Sequence, residues 1–103
     1  MLAHKPKMDA VINFVVTLAQ KQLHPRTIIL FGSRARGDHQ PTSDYDLAFE
    51  LGDKSKDAWS RFVLDVQDHA PTLKTIDLVA LHMADAPLKK RISTEGVVVY
   101  AES

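Results

Sequence analysis

The segment between Thr27 and Leu51 constrains the fold of this 103-residue chain more than any other. An apolar run, Thr27–Phe31, has the composition of a buried strand and ends directly at Gly32-Ser33. Asp44-Tyr45-Asp46 follows after ten further residues, and alternating apolar residues from Asp44 to Leu51 predict a second strand. Because strand side chains alternate between faces, Asp44 and Asp46 are expected on the same face of a sheet.

These residue types point to a site for a nucleotide and a metal ion. A Gly-Ser turn after a strand offers backbone N–H groups to phosphate oxygens, so Gly32 and Ser33 are candidate triphosphate ligands. Paired carboxylates are typical ligands of nucleotide-bound Mg²⁺, which makes Asp44 and Asp46 candidate metal ligands and catalytic residues.

A third carboxylate, Asp77, is the only charged residue in the apolar run from Ile76 to Leu81. An ionised carboxylate is costly to bury without a partner or a metal. Asp77 is therefore a candidate third metal ligand that also assists deprotonation of a nucleophile. The alternative for Asp77 is a structural ion pair, for example with Lys74.

The remaining patterns predict alternating helices and strands in the order α-β-α-β-α-β-α-β. Helices are predicted over residues 6–22, 34–38, 55–69 and, in part, 82–95, and further strands over 74–81 and 97–100. No repeat, low-complexity tract or interdomain linker is evident, so we expect one domain over residues 1–103.

Composition excludes some classes of protein and disfavours others. There are no cysteines, which excludes disulfides, thiol catalysis and cysteine-ligated zinc. The 13 Lys and Arg balance 13 Asp and Glu, which disfavours direct binding of DNA or RNA. No apolar segment has the length of a signal peptide core or a membrane span, and we expect a soluble cytoplasmic protein with no membrane partner.

The motif Gly-Ser-x₁₀-Asp-x-Asp, followed by an apolar strand with a central Asp, resembles that of the DNA polymerase beta-type nucleotidyltransferases. The segments Leu30–Gly37 and Ser43–Leu47 resemble the minimal nucleotidyltransferase branch, which includes antitoxins paired with HEPN-type toxins. The resemblance covers residues from about Ile28 to Tyr100. It implies an α/β (α+β) fold in which helices flank a small mixed sheet of about four strands.

The resemblance also implies roles for individual residues. Gly32 and Ser33 would hold the triphosphate of ATP, and Asp44, Asp46 and Asp77 would hold Mg²⁺, as two ions. Two arginines of the Arg-Ala-Arg-Gly segment, Arg34 and Arg36, would contact phosphate or a partner. The alternative for both arginines is a solvated position on a helix.

The function implied by the resemblance is Mg²⁺-dependent transfer of AMP from ATP to a tyrosine hydroxyl of a helical HEPN-type toxin. The chain is small for a domain that would bind its own acceptor. We therefore expect the HEPN-type acceptor, or a similar helical substrate-binding subunit, to come in trans within a homo- or hetero-oligomer. One alternative is a non-catalytic antitoxin that binds a helical partner stoichiometrically. Another is a catalytic subunit that modifies a small molecule.

Overall fold

The computed structural model describes residues 8–102 and contains a four-stranded sheet with helices on both faces. In chain order the elements are α1 (Ala10–Gln22), β1 (Thr27–Phe31), α2 (Ser33–Arg36), β2 (Tyr45–Glu50), α3 (Trp59–His69), β3 (Ile76–Ala80), α4 (Ala86–Glu95) and β4 (Val97–Ala101). Short 3₁₀ segments at Asp53–Ala58 and Leu81–Met83 precede α3 and α4. None of the helices in residues 8–102 is long and apolar enough to cross a membrane.

The sheet is mixed, as predicted, with the strand order β3-β2-β1-β4. Strand β1 pairs antiparallel with β2 and β4, whereas β2 and β3 are parallel and are connected through α3. The register places Asp46 opposite Phe31 of β1 on one side and opposite Asp77 of β3 on the other. The end of β1 and two of the predicted carboxylates are therefore neighbours across three adjacent strands.

The two faces of the sheet have separate cores. Alternate side chains of β2, namely Tyr45, Leu47 and Phe49, lie in the larger core with α1 and α3, where Phe49 packs edge-on against Trp59 and Phe62. The opposite face has a smaller core in which α4 packs on the sheet, formed by Ile29, Phe31, Ala48 and Ile92. Because side chains alternate, Asp46 shares the face of α4.

Helix boundaries differ from the predictions for local reasons. The carboxylate of Asp9 caps α1 by accepting from the N–H of Ile12 at 2.9 Å, so the helix begins at Ala10. The predicted start at Pro6 lies outside the described residues. The polar segment Asp53–Ala58 is a 3₁₀ helix rather than the start of α3. Asp85 caps α4 in the same way as Asp9 caps α1, so this helix begins at Ala86 rather than His82.

Candidate functional site

Gly32 joins β1 to α2 in a conformation that a side chain would obstruct. Its φ of 77° and ψ of −159° lie where residues other than glycine are strained. A Cβ at this position would also clash with Oδ2 of Asp46. The close approach follows from the register, since Asp46 lies opposite Phe31, the residue before Gly32. The turn and the carboxylate thus form one site.

Asp46 and Asp77 lie side by side on parallel strands. Burial and the negative charge of Asp77 together raise the pKa of Asp46 to about 6, whereas Arg91 acts in the opposite direction. Asp44 has a smaller effect on this pKa, because it lies exposed in the loop before β2. No ion pair joins Asp77 to Lys74 in the described structure, so the alternative of a structural ion pair has no support.

The carboxylates suit a divalent cation, although they do not surround a preformed site. In residues 8–102, no three His, Asp or Glu side chains are arranged to hold a metal ion. Burial and the adjacent negative charge of Asp77 nevertheless raise the pKa of Asp46, and Arg91 offsets only part of this increase. Carboxylate oxygens are the ligands that Mg²⁺ prefers, and binding of the ion would relieve this repulsion. The residues present therefore fit Mg²⁺.

Arg34 holds the loop that leads to Asp44. Its Nε and Nη2 donate to the carbonyl oxygen of Ser43 at 3.1 and 3.0 Å, and its guanidinium stacks on the ring of Tyr45 at 4.0 Å. The Arg34 side chain is only 10% exposed. Its donors are thus directed toward the loop and the larger core, and a direct contact with phosphate stays a prediction.

Tyr45 and Asp9 extend this support under the loop. The hydroxyl of Tyr45 donates to Oδ2 of Asp9 at 2.5 Å, and burial raises the pKa of Tyr45 to about 12. Tyr45, which lies between Asp44 and Asp46 in the chain, therefore connects both residues to the N-terminus of α1.

Arg36 lies beside the Gly32 turn, together with two residues that sequence reasoning missed, Arg91 and Glu95. Arg36 pairs with Asp38 and Glu95, both at 3.1 Å, and Arg91 pairs with Glu95 at 3.3 Å. The Arg91 and Glu95 pair has the i, i+4 spacing of an ordinary surface ion pair. Only the packing of α4 on the face that carries Asp46 assigns these residues to the site.

Ser33 is the first residue of α2 and is partly buried beside this turn.

A cleft of about 610 Å³ begins next to Asp44, on the side away from β1, and is lined by Thr42, Asp44 and residues 71–75. Leu73 at its rim is fully exposed. The site thus has a turn with arginines on one side and an open cleft on the other.

Several solved structures share this fold. A chain of a toxin–antitoxin complex with AMP-PNP matches 88% of this chain and 73% of its own length, with 23% identity and a TM-score of 0.62. A chain of the MntA–HepT toxin–antitoxin complex has 20% identity and a TM-score of 0.55, with 87% and 69% coverage. A chain of the complex between tri-AMPylated Shewanella oneidensis HEPN toxin and MNT antitoxin also has 20% identity and a TM-score of 0.55, with 87% and 69% coverage.

At these identities the structural likeness establishes the fold. No curated protein sequence matches the chain. The model of the family described as polymerase beta, nucleotidyltransferase matches residues 13–103, which include every candidate ligand of the triphosphate and the metal. The chain belongs to the polymerase beta nucleotidyltransferase family.

Proposed function

We propose that this nucleotidyltransferase moves AMP from ATP to a tyrosine hydroxyl of a HEPN-type toxin and thereby acts as an antitoxin. The observation that carries the proposal is the contact of Asp46 with both the Gly32 turn and Asp77. A phosphate-binding turn against paired carboxylates is the arrangement that nucleotidyl transfer needs. The similar fold of the MNT antitoxin bound to a tri-AMPylated toxin supports this choice of acceptor.

Each part of the site has a role in the proposed reaction. Gly32, Ser33 and Arg36 would bind the triphosphate, and Asp44, Asp46 and Asp77 would hold Mg²⁺. The metal, when bound, would neutralise charge on the phosphates. A bond forms between the acceptor oxygen and the α-phosphorus while the bond to the bridging oxygen of the β-phosphate breaks, which releases pyrophosphate.

The acceptor proton requires a base close to the α-phosphate. Asp77 is the best candidate because it is exposed on the edge strand β3, whereas Asp46 is partly buried on β2. An exposed carboxylate on an edge strand is accessible to a hydroxyl from a second protein. The cleft beside Asp44, with Leu73 at its rim, is where we place that protein.

Label transfer tests the proposal directly. The protein is incubated with Mg²⁺ and a HEPN-type toxin as the partner, with ATP labelled at either the α- or the γ-phosphate. Label from the α-phosphate alone is expected on the partner, since AMP rather than phosphate is transferred. Asp46→Ala should abolish the transfer, and Asp57→Ala, a change at an exposed position of the 3₁₀ segment before α3, should not. Label from the γ-phosphate, or none from either, would exclude AMP transfer.

A stoichiometric antitoxin without catalysis is the second candidate. It is favoured by one observation, the lack of a preformed group of three metal-binding side chains in the described residues. Neutralisation of the toxin by an Asp44→Ala/Asp46→Ala variant, with the toxin left unmodified, would support this candidate. Loss of neutralisation in a variant that still binds the toxin would support AMP transfer.

A further inference from the structure

Glu95, the last residue of α4, lies against the turn that we assign to the triphosphate. Its Oε2 accepts from the backbone N–H of Gly32 at 3.2 Å. The same oxygen lies 3.1 Å from Nη1 of Arg36 and 3.3 Å from Nε of Arg91. The Glu95 side chain is 21% exposed, so these contacts are only partly screened by water. One acidic oxygen thus accepts a hydrogen bond from Gly32 and forms ion pairs with Arg36 and Arg91.

These donors are the kind that bind a phosphate oxygen. Proteins recognise phosphate through backbone N–H groups and through the charged N–H groups of arginine. A carboxylate oxygen accepts from the same donors in similar geometry. Arg91 also lies near the ring of Phe31, at 5.5 Å, and close enough to Asp46 to affect its pKa. The guanidinium of Arg91 is therefore near both Glu95 and Asp46, one of the proposed metal ligands.

We propose that Glu95 is an internal substitute for a phosphate group, which it mimics until the triphosphate of a nucleotide displaces it. The inference rests on the proposed function, because it takes Gly32 and Arg36 as triphosphate ligands. Both already bind Glu95, and a phosphate oxygen cannot join the same donors without strong repulsion from the carboxylate. Displacement requires only rotation of a partly exposed side chain at the end of a helix, which is a fast motion. It releases two arginines and one backbone N–H toward the phosphates.

The proposal predicts that Glu95 competes with the nucleotide. Glu95→Gln keeps the shape of the side chain and removes its charge, so its hold on the two arginines weakens. Affinity for inorganic tripolyphosphate with excess Mg²⁺, measured by isothermal titration calorimetry, should rise about fivefold, which is the upper end expected for an ion pair of this exposure. Affinity for ATP should rise by a similar factor.

Asp38→Asn is the matched control, since it removes the other acidic partner of Arg36 without affecting the bond to Gly32. It should change the affinity for tripolyphosphate less than twofold. In the unmodified protein, the amide resonance of Gly32 should shift on titration with tripolyphosphate, which tests displacement even if the variant folds poorly. Unchanged or weaker binding by Glu95→Gln would overturn the proposal, because Glu95 would then position the arginines rather than compete.

The test separates this proposal from the proposed function. Tighter binding of tripolyphosphate by Glu95→Gln supports the displacement of Glu95 even if no AMP reaches a partner. AMP transfer by the unmodified protein, with equal affinities in both forms, refutes the displacement alone. If neither the unmodified protein nor Glu95→Gln binds tripolyphosphate, displacement of Glu95 is also refuted.

Discussion

Neutralising Asp46 should stabilise the metal-free protein at neutral and alkaline pH. Burial and the adjacent Asp77 raise the pKa of Asp46 from 3.8 to about 6. A pKa raised in the folded state means that this carboxyl stabilises the fold fully below pH 3.8. The stability is lost as the pH rises through 6, because the folded protein then releases a proton that it holds more tightly than the unfolded chain does. Asp46→Asn remains neutral throughout and avoids this loss.

The size of the effect follows from the two pKa values. One pKa unit corresponds to about 1.4 kcal/mol, so the full difference gives an upper limit of about 3 kcal/mol. Asp46 is partly exposed, and screening by solvent reduces the expected gain to about 1–2 kcal/mol. In a domain of this size, about 1 kcal/mol shifts the melting temperature by roughly 4–8 °C.

Thermal unfolding followed by circular dichroism in the presence of EDTA measures this gain. At pH 8 Asp46→Asn should melt above the unmodified protein, and the gap should shrink toward pH 5. Asp57→Asn, at an exposed position, serves as the control and should show no gap that depends on pH. Added Mg²⁺ should stabilise the unmodified protein more than Asp46→Asn. A variant less stable than the unmodified protein by the same amount at both pH values would refute the reasoning, because Asp46 would then contribute through packing or hydrogen bonds.

Three further predictions concern the turn, the loop support and the cleft. Gly32→Ala should abolish ATP binding in calorimetry and lower the free energy of unfolding by about 2 kcal/mol or more, because of the positive φ and the clash with Asp46. Gly52→Ala, at a position with open space around it, should leave both quantities unchanged. Tyr45→Phe should lower the free energy of unfolding in urea by about 1–2 kcal/mol, because a partly buried hydrogen bond to Asp9 is lost. An unchanged unfolding midpoint would contradict this role. Leu73→Asp should weaken labelling of the partner but leave ATP affinity unchanged, and normal labelling would place the acceptor elsewhere.

Much of this architecture is accessible from sequence because local and periodic signals agree. The apolar run before Gly32 and the alternation after Asp44 predicted two strands, and the mixed sheet and the nucleotidyltransferase class are confirmed. The contact of Gly32 with Asp46 was not predicted, because it depends on register between strands and not on distance along the chain.

The arginines and Glu95 show where sequence reasoning fails. Arg34 and Arg36 lie two residues apart in the same short helix, yet one holds a loop and the other pairs with α4. Nothing local distinguishes them, since the difference depends on which element packs against each side of the turn. Arg91 and Glu95 have the spacing of an ordinary helical ion pair, and only the placement of α4 brings them to the site.

The central claim is that Asp46 and Asp77, beside the Gly32 turn, support transfer of AMP to a partner protein. Tandem mass spectrometry of the helical partner after incubation with the protein, ATP and Mg²⁺ tests this most directly. We expect AMP on a tyrosine of the partner with the unmodified protein and none with Asp46→Asn or Asp77→Asn. An unmodified partner, or the same modification with either variant, would contradict the claim.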